Sequence, residues 1–192
     1  MDVVEKVRTT LGTYSDTDVR ALLKADHETV QELAEALAEA KSGPQRRSLL
    51  AQLKPLITAH ARAEEQAVYV PLTQVKDSPD SRLMGSEGAV EHFLVDTLLE
   101  KLDAARDATS DMWRAHATVL QELLEHHIKE EESEMFEELG EHFTADEREA
   151  MAVQFATLRD ERLASETSPR RSASRGNGAR RDVGRVRRAQ AA

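Results

Sequence analysis

The sequence predicts an all-α protein: an antiparallel up-down-up-down four-helix bundle with an extra C-terminal helix and a disordered basic tail. Three observations predict it. Charged residues make up 32% of the chain and aromatic residues only 4%, with Ala, Leu and Glu abundant, a composition that favours helices over sheets. Apolar residues recur at three- and four-residue spacing over long stretches. The chain also repeats itself: His27 is followed 33 residues later by His60-x-x-x-Glu64, and His92 is followed 35 residues later by His127-x-x-x-Glu131. Two helical hairpins of one kind pack naturally as a four-helix bundle.

Taken in order, residues 2–11 form a short leading helix. Ser15 or Asp16 caps the next helix, which runs to about Lys41 with Val19, Leu22, Leu23, Val30, Leu33 and Leu37 on one face. Ser42-Gly43-Pro44 breaks it, and Pro44 suits the first turn of a second helix that meets Pro71. Residues 76–88, with Pro79, Gly85 and Gly88, read as the crossover loop. A third helix covers about Ala89 to Asp107, and a fourth about Ser110 to Leu139, ending at Gly140. Thr144, with Glu147 three residues on, makes a capping box for a fifth helix that runs to about Leu163. The domain is therefore 1–165, and 166–192 is a disordered Arg-rich tail with almost nothing apolar to bury.

The overall charge of −10 hides a division: residues 167–192 hold eight Arg and one Asp, a net +7, while the remainder is acidic. With no cysteine, disulfides, iron–sulfur clusters and thiolate zinc sites are excluded, which leaves imidazole and carboxylate as the strong metal ligands. No apolar run is long enough to span a membrane, and Asp2, Glu5 and Lys6 place charges where a secretion signal needs an apolar stretch. A cytoplasmic protein without a membrane partner is expected. Nucleic acid is not an expected partner except through the tail, whose charge attracts phosphate but which has no aromatic residue for base stacking.

Helical geometry separates the chemistry-bearing residues from the solvated ones. At 100° per residue, with Leu49 as zero, His60 falls at about 20° and Glu64 at about 60°, inside the apolar stripe. With Leu120 as zero, His127 falls at about 340° and Glu131 at about 20°, whereas His126 and Glu130 fall near 240° and 280°, at or beyond the edge. His27 and His92 lie at the margins of their stripes. A lone interior histidine is more often a hydrogen-bonded core residue than a ligand, and glutamate runs are usually solvated. Two His-x-x-x-Glu pairs in one register, each with an upstream histidine, argue against that reading. An ionised glutamate in an apolar interior costs several kcal/mol unless it is compensated, and Arg62 and Lys129 point to the opposite faces. A bound cation compensates it and selects neutral imidazole. Donors of this kind suit iron, manganese or zinc. Four His and two bridging Glu point to two ions, and with a bridging oxo or hydroxo group about two of some twelve coordination positions stay open.

The ordered set His27; His60-Ala-Arg-Ala-Glu64-Glu65 with Tyr69-Val70-Pro71; Glu91-His92; and His127-Ile-Lys-Glu-Glu131-Glu132 with Phe136 resembles the hemerythrin-like (HHE cation-binding) domain over about residues 17–140. The resemblance implies a non-haem di-iron centre, two iron ions bridged by oxo or hydroxo, with His27, His60, Glu64, His92, His127 and Glu131 as ligands. The chain departs from the oxygen-carrying hemerythrins. Those have a second histidine four residues after the one on the third helix, where this chain has Asp96, and their fourth helix uses His-x-x-x-x-Asp. Asp96 is open between an extra ligand, an acceptor for an imidazole N–H and a surface carboxylate. Tyr69 is open between ligation and packing, since an ideal helix turns it away from the centre. The departure shifts the expectation from O2 carriage to a protein that binds a small oxidant (O2, hydrogen peroxide or nitric oxide), with or without turnover. The alternative is an iron- or oxygen-responsive regulatory or interaction module.

Overall fold

A computed structural model of the chain describes residues 18–167. The leading helix at 2–11, the caps at Ser15 and Asp16, and the tail lie outside the described residues. Five helical rods follow one another: α1 (Val19–Glu39), α2 (Gly43–Glu64), α3 (Pro79–Ala104), α4 (Asp111–Glu130) and α5 (Ala145–Thr167). α2 continues without a break through a π-helical turn (Glu65–Tyr69) into Val70–Thr73, and α4 through a second π-turn (Glu131–Met135) into Phe136–His142. Neighbouring rods α1–α2, α2–α3, α3–α4 and α4–α1 pack in a ring, and α5 lies along α1 and α2.

The ends of the helices follow from side-chain capping. Asp18 caps α1 by accepting from the Arg20 backbone N–H at 3.1 Å, so the cap falls two residues later than Asp16. Ser42 caps α2 with Pro44 in the first turn, and Ser110 caps α4 through the Trp113 N–H. The capping box of α5 forms in both directions: Thr144 Oγ1 accepts from the Glu147 N–H at 3.3 Å, and Glu147 Oε2 accepts from the Thr144 N–H at 2.7 Å.

Two expectations are corrected. Residues 79–88 are not a loop, because α3 starts at Pro79 behind the Ser78 cap and carries Gly85 and Gly88 inside it. Both glycines are sites of close approach: a methyl on Gly85 would lie 3.0 Å from the Tyr69 carbonyl oxygen, and one on Gly88 would lie 2.5 Å from the Tyr69 hydroxyl. They mark helix contact rather than a turn. Pro71 does not end α2, because the π-turn ahead of it carries helical backbone through to Thr73.

The core divides into two apolar clusters. One holds Leu33, Leu37, Leu53, Leu99, Trp113 and Leu120, among others. The other holds Leu23, Val68, Leu72, Met135, Leu139 and Phe155. The predicted site residues lie where the two clusters meet: His27 falls between Leu23 and Val30 on α1, and Glu131 between Ile128 and Met135 on the α4 rod, so a polar layer separates two apolar ones. Among the described residues no helix is long and apolar enough to cross a membrane.

Candidate metal centre

The structure brings all six predicted ligand residues into that layer, none more than 4% exposed. The i, i+4 spacing stacks His60 over Glu64 and His127 over Glu131 on the inner faces of α2 and α4, while α1 and α3 bring in His27 and His92 from either side. Glu64 Oε2 lies 3.2 Å from His60 Nε2 and 3.6 Å from His92 Nε2. Glu131 Oε2 lies 3.2 Å from His27 Nε2 and 3.4 Å from His127 Nε2. Each carboxylate therefore faces one histidine of its own rod and one of another. Two overlapping buried groups result, His27/His60/Glu64/Glu131 and Glu64/His92/His127.

The outer nitrogen of each imidazole explains the orientation of the inner one. His27 Nδ1 bonds Glu132 at 3.2 Å, His60 Nδ1 bonds Asp26 at 3.3 Å, His92 Nδ1 bonds Glu65 at 3.2 Å, and His127 Nδ1 bonds Glu91 at 2.6 Å. An ionised carboxylate only accepts, so each Nδ1 carries a proton and, in the neutral ring that a metal selects, each Nε2 presents a lone pair inward. The pattern obeys the internal repeat. The acid before each lone histidine, Asp26 or Glu91, holds the histidine of the next rod, and the acid after each predicted ligand glutamate, Glu65 or Glu132, holds a lone histidine. Sequence reasoning missed these four carboxylates. Their signal was present as the adjacent pairs Asp26-His27, Glu64-Glu65, Glu91-His92 and Glu131-Glu132.

These donors fit a cation. His92 Nε2 and His127 Nε2 meet at 3.1 Å, a separation that two lone pairs hold only with a proton or metal ion between them. Glu64 Oε1 is buried with no hydrogen-bond partner, and His27 Nε2 and Glu131 Oε2, though 3.2 Å apart, form no well-aligned hydrogen bond, a state that buried polar groups avoid. Burial alone would strip the proton from His60, but the Glu64 charge and the Asp26 hydrogen bond outweigh it and raise the group to about 10. His127, likewise buried but beside Glu131 and Glu91, is raised to about 9. Burial opposes ionisation of Glu131, yet His127 and His27 hold it well below the usual carboxylate range. A metal cation in this place would have the same electrostatic effect on the two carboxylates as protons on the imidazoles.

Against known families, residues 18–139 match the Hemerythrin HHE cation binding domain. The chain belongs to the hemerythrin family. No curated protein and no solved structure matches it. Membership and the buried His/Glu cluster make this a metal-binding helical domain, and they leave α5, beyond residue 139, outside the matched region.

Two residues left open by the hemerythrin resemblance now have positions. Asp96 pairs with Arg62 and does not reach an imidazole. Arg62 also pairs with Glu65, the acceptor of His92, so it does not face away from the site as the helical angle predicts but braces it at one remove. Tyr69 points inward and donates its hydroxyl to Glu131, with Glu64 Oε2 at 3.4 Å. The π-turn is the cause: the Val70 N–H bonds the Glu65 carbonyl, five residues back, which brings Tyr69 over Glu64 rather than far around the helix. Burial and the Glu131 and Glu64 charges push the phenol well above its ordinary value, so Tyr69 is a neutral donor. The second π-turn does the same for Phe136, which stacks on His27 with centroids 6.5 Å apart, as Tyr69 stacks on His92 at 5.3 Å.

The two sides of the centre differ in access. Phe155 of α5 sets its ring 5.5 Å from His60 and is fully buried, closing that side. On the other side a cleft of about 60 Å³ between α3 and α4 reaches Tyr69, His127 and Glu131, with Glu87, Glu91, Glu130 and Glu134 at its rim. His126, which forms an exposed pair with Glu130, stays outside the buried layer, as the helical angles predict.

Proposed function

We propose that this hemerythrin-family chain holds two iron ions and uses them to bind a small oxidant: O2, hydrogen peroxide or nitric oxide. His27 and His60 would hold one ion, His92 and His127 the other, with Glu64 and Glu131 spanning both. The observation that carries the reading is the convergence of four Nε2 lone pairs and two shared carboxylates, every imidazole already oriented by an acid at Nδ1. Such outer-shell partners raise ligand basicity and fix the tautomer. Bound iron would supply one-electron redox chemistry and open coordination positions.

The protein's own groups support a small, uncharged ligand. Asp96, at the sequence position where oxygen carriers have their extra imidazole, is engaged by Arg62. The cleft reaches the His92/His127 side, where Tyr69 offers a neutral hydroxyl beside Glu131. Its acidic rim disfavours anions and leaves neutral molecules and cations free to approach.

The test is metal analysis of protein reconstituted anaerobically with ferrous iron, followed by spectra after separate additions of O2, peroxide and nitric oxide. Two iron ions per chain and a distinct spectral change with at least one addition are expected. His60→Ala should bind one ion or none. Less than one iron per wild-type chain, or spectra that His60→Ala leaves unchanged, would refute the proposal.

A further inference from the structure

Three of the acids that orient the imidazoles are themselves held by a base. Lys24 pairs with Glu132 at 3.3 Å, Arg62 pairs with Glu65, and Arg159 pairs with Asp26. The first two bases are at or near the surface, their side chains 57% and 31% exposed, where water and salt weaken a pair. Arg159 is 3% exposed. It comes from α5, outside the residues that match the family. One of its nitrogens, Nη1, reaches both Asp26 oxygens, at 2.8 and 2.9 Å, and Asp26 Oδ2 in turn accepts from His60 Nδ1 at 3.3 Å. The guanidinium lies over the Phe155 ring at 5.2 Å, and Phe155 sets its own ring against His60.

This arrangement is costly for stability alone. Nε and Nη2 of Arg159 are buried without a hydrogen-bond acceptor, Nε lying 3.5 Å from Asp160. A buried ion pair with unmet donors is commonly matched or bettered by apolar side chains of similar volume. What the pair does provide is a fixed direction for the Asp26 carboxylate. Without Arg159, Asp26 would be a buried acid with one imidazole as its neighbour, free to turn or to take up a proton. With Arg159 in place, both Asp26 oxygens are held, and His60 has one acceptor at one angle.

We propose that Arg159 is a positioning residue of the metal centre: by clamping Asp26 against His60 Nδ1, it makes α5 part of the site and holds His60 Nε2 toward the ion. The inference rests on the metal-binding reading above, and its test separates the two.

The experiment titrates the full chain anaerobically with Co(II) against a competing chelator and records the hyperfine-shifted, water-exchangeable Nδ1–H resonances of the Co(II) protein. Wild type should show four such resonances, one per orienting carboxylate. Arg159→Met should lower Co(II) affinity about tenfold, the lower end of what loss of an outer-shell partner costs. It should also speed solvent exchange of one resonance, identified as that of His60 by its loss in His60→Ala; the metal-free variant should melt lower than wild type, because Asp26 loses its buried partner, so the selective change at His60 is the readout that separates positioning from stability alone. Arg159→Lys, whose ammonium is less firmly directed, should recover the affinity only in part and leave the His60 proton exchanging faster than in wild type. Asp26→Asn should weaken binding, and adding Arg159→Met to it should cost little more, because the two act through one contact. Affinity within twofold of wild type and an unchanged His60 resonance in Arg159→Met overturn the inference, as do losses that multiply in the double variant. If Arg159→Met does not fold, Arg159→Lys decides: faster exchange of the His60 proton alone supports the clamp, and four unaltered resonances overturn it. Failure of wild type to bind Co(II) would instead overturn the metal-binding reading.

Discussion

At His60 and His127 the surrounding carboxylates, rather than the imidazole itself, decide when the ring is charged. Their folded-state values of about 10 and about 9 lie above the ordinary 6.5. The protons they hold therefore stabilise the metal-free protein fully below pH 6.5, and that contribution is lost as pH rises through 9 to 10. Metal takes the place of those protons. The rise in melting temperature on adding Co(II) is expected to grow between pH 6.5 and pH 9, measured by thermal denaturation in matched buffers. A rise that is flat or shrinks over this window contradicts exchange of protons for metal. Tyr69 gives a second prediction. Its hydroxyl bonds the buried Glu131, so Tyr69→Phe should cost about 1–3 kcal/mol in denaturant unfolding of the metal-free protein. Metal stoichiometry should hold, because the phenol donates to a carboxylate and is not itself counted among the ligands. Loss of a full equivalent of metal would make Tyr69 a ligand instead.

At the scale of the element, the two π-turns show how a helix presents a residue that its regular period hides. Each begins at or immediately after a candidate ligand glutamate and brings the residue five positions on over the site: Tyr69 after Glu64, and Phe136 after Glu131. The rod opposite must then make room, and Gly88 does so in α3. Two effects compete in Gly88→Ala. Alanine is better than glycine inside a helix by about 1 kcal/mol. The added methyl, however, lies 2.5 Å from the Tyr69 hydroxyl, which Glu131 holds in place. Overpacking of this kind costs about 1–3 kcal/mol, so destabilisation is expected to win. Equilibrium unfolding of Gly88→Ala alone and in Tyr69→Ala checks it. The penalty should vanish or reverse once the ring is gone, and a stabilising Gly88→Ala in the wild-type background would show that Tyr69 yields.

Across the whole molecule, a layer of charged and hydrogen-bonding groups lies between two apolar clusters. Neither cluster compensates the buried glutamates, so the native state depends on what occupies the layer. An ion at about a thousandfold above its dissociation constant stabilises by about 4 kcal/mol, or roughly 8–16 °C for a domain of this size. Stripping metal with a chelator is expected to lower the melting temperature by that order, and restoring it should reverse the loss. A melting temperature indifferent to chelation would mean that the layer is satisfied without metal. The asymmetry of the fold also belongs to this scale. α5 seals the His60 side, while the cleft between α3 and α4 opens on His127.

What the sequence determined by itself was everything carried by local geometry. The His-x-x-x-Glu spacing places each pair on one helix face, and the apolar stripe decides that the face is buried. Those two facts chose His127 and Glu131 over His126 and Glu130. The doubled pattern also predicted the bundle, and the Thr144-x-x-Glu147 box predicted the start of α5. Tertiary structure decided what depends on how the rods are rotated and set against one another. It paired Asp26 with His60 and Glu132 with His27, turned Tyr69 inward through a π-turn, placed Gly85 and Gly88 in a helix rather than a loop, and brought Arg159 from α5 to Asp26. No local rule reports these contacts. A helix shows its own face in its period, but the partner of that face is set only when packing fixes the axial register between helices.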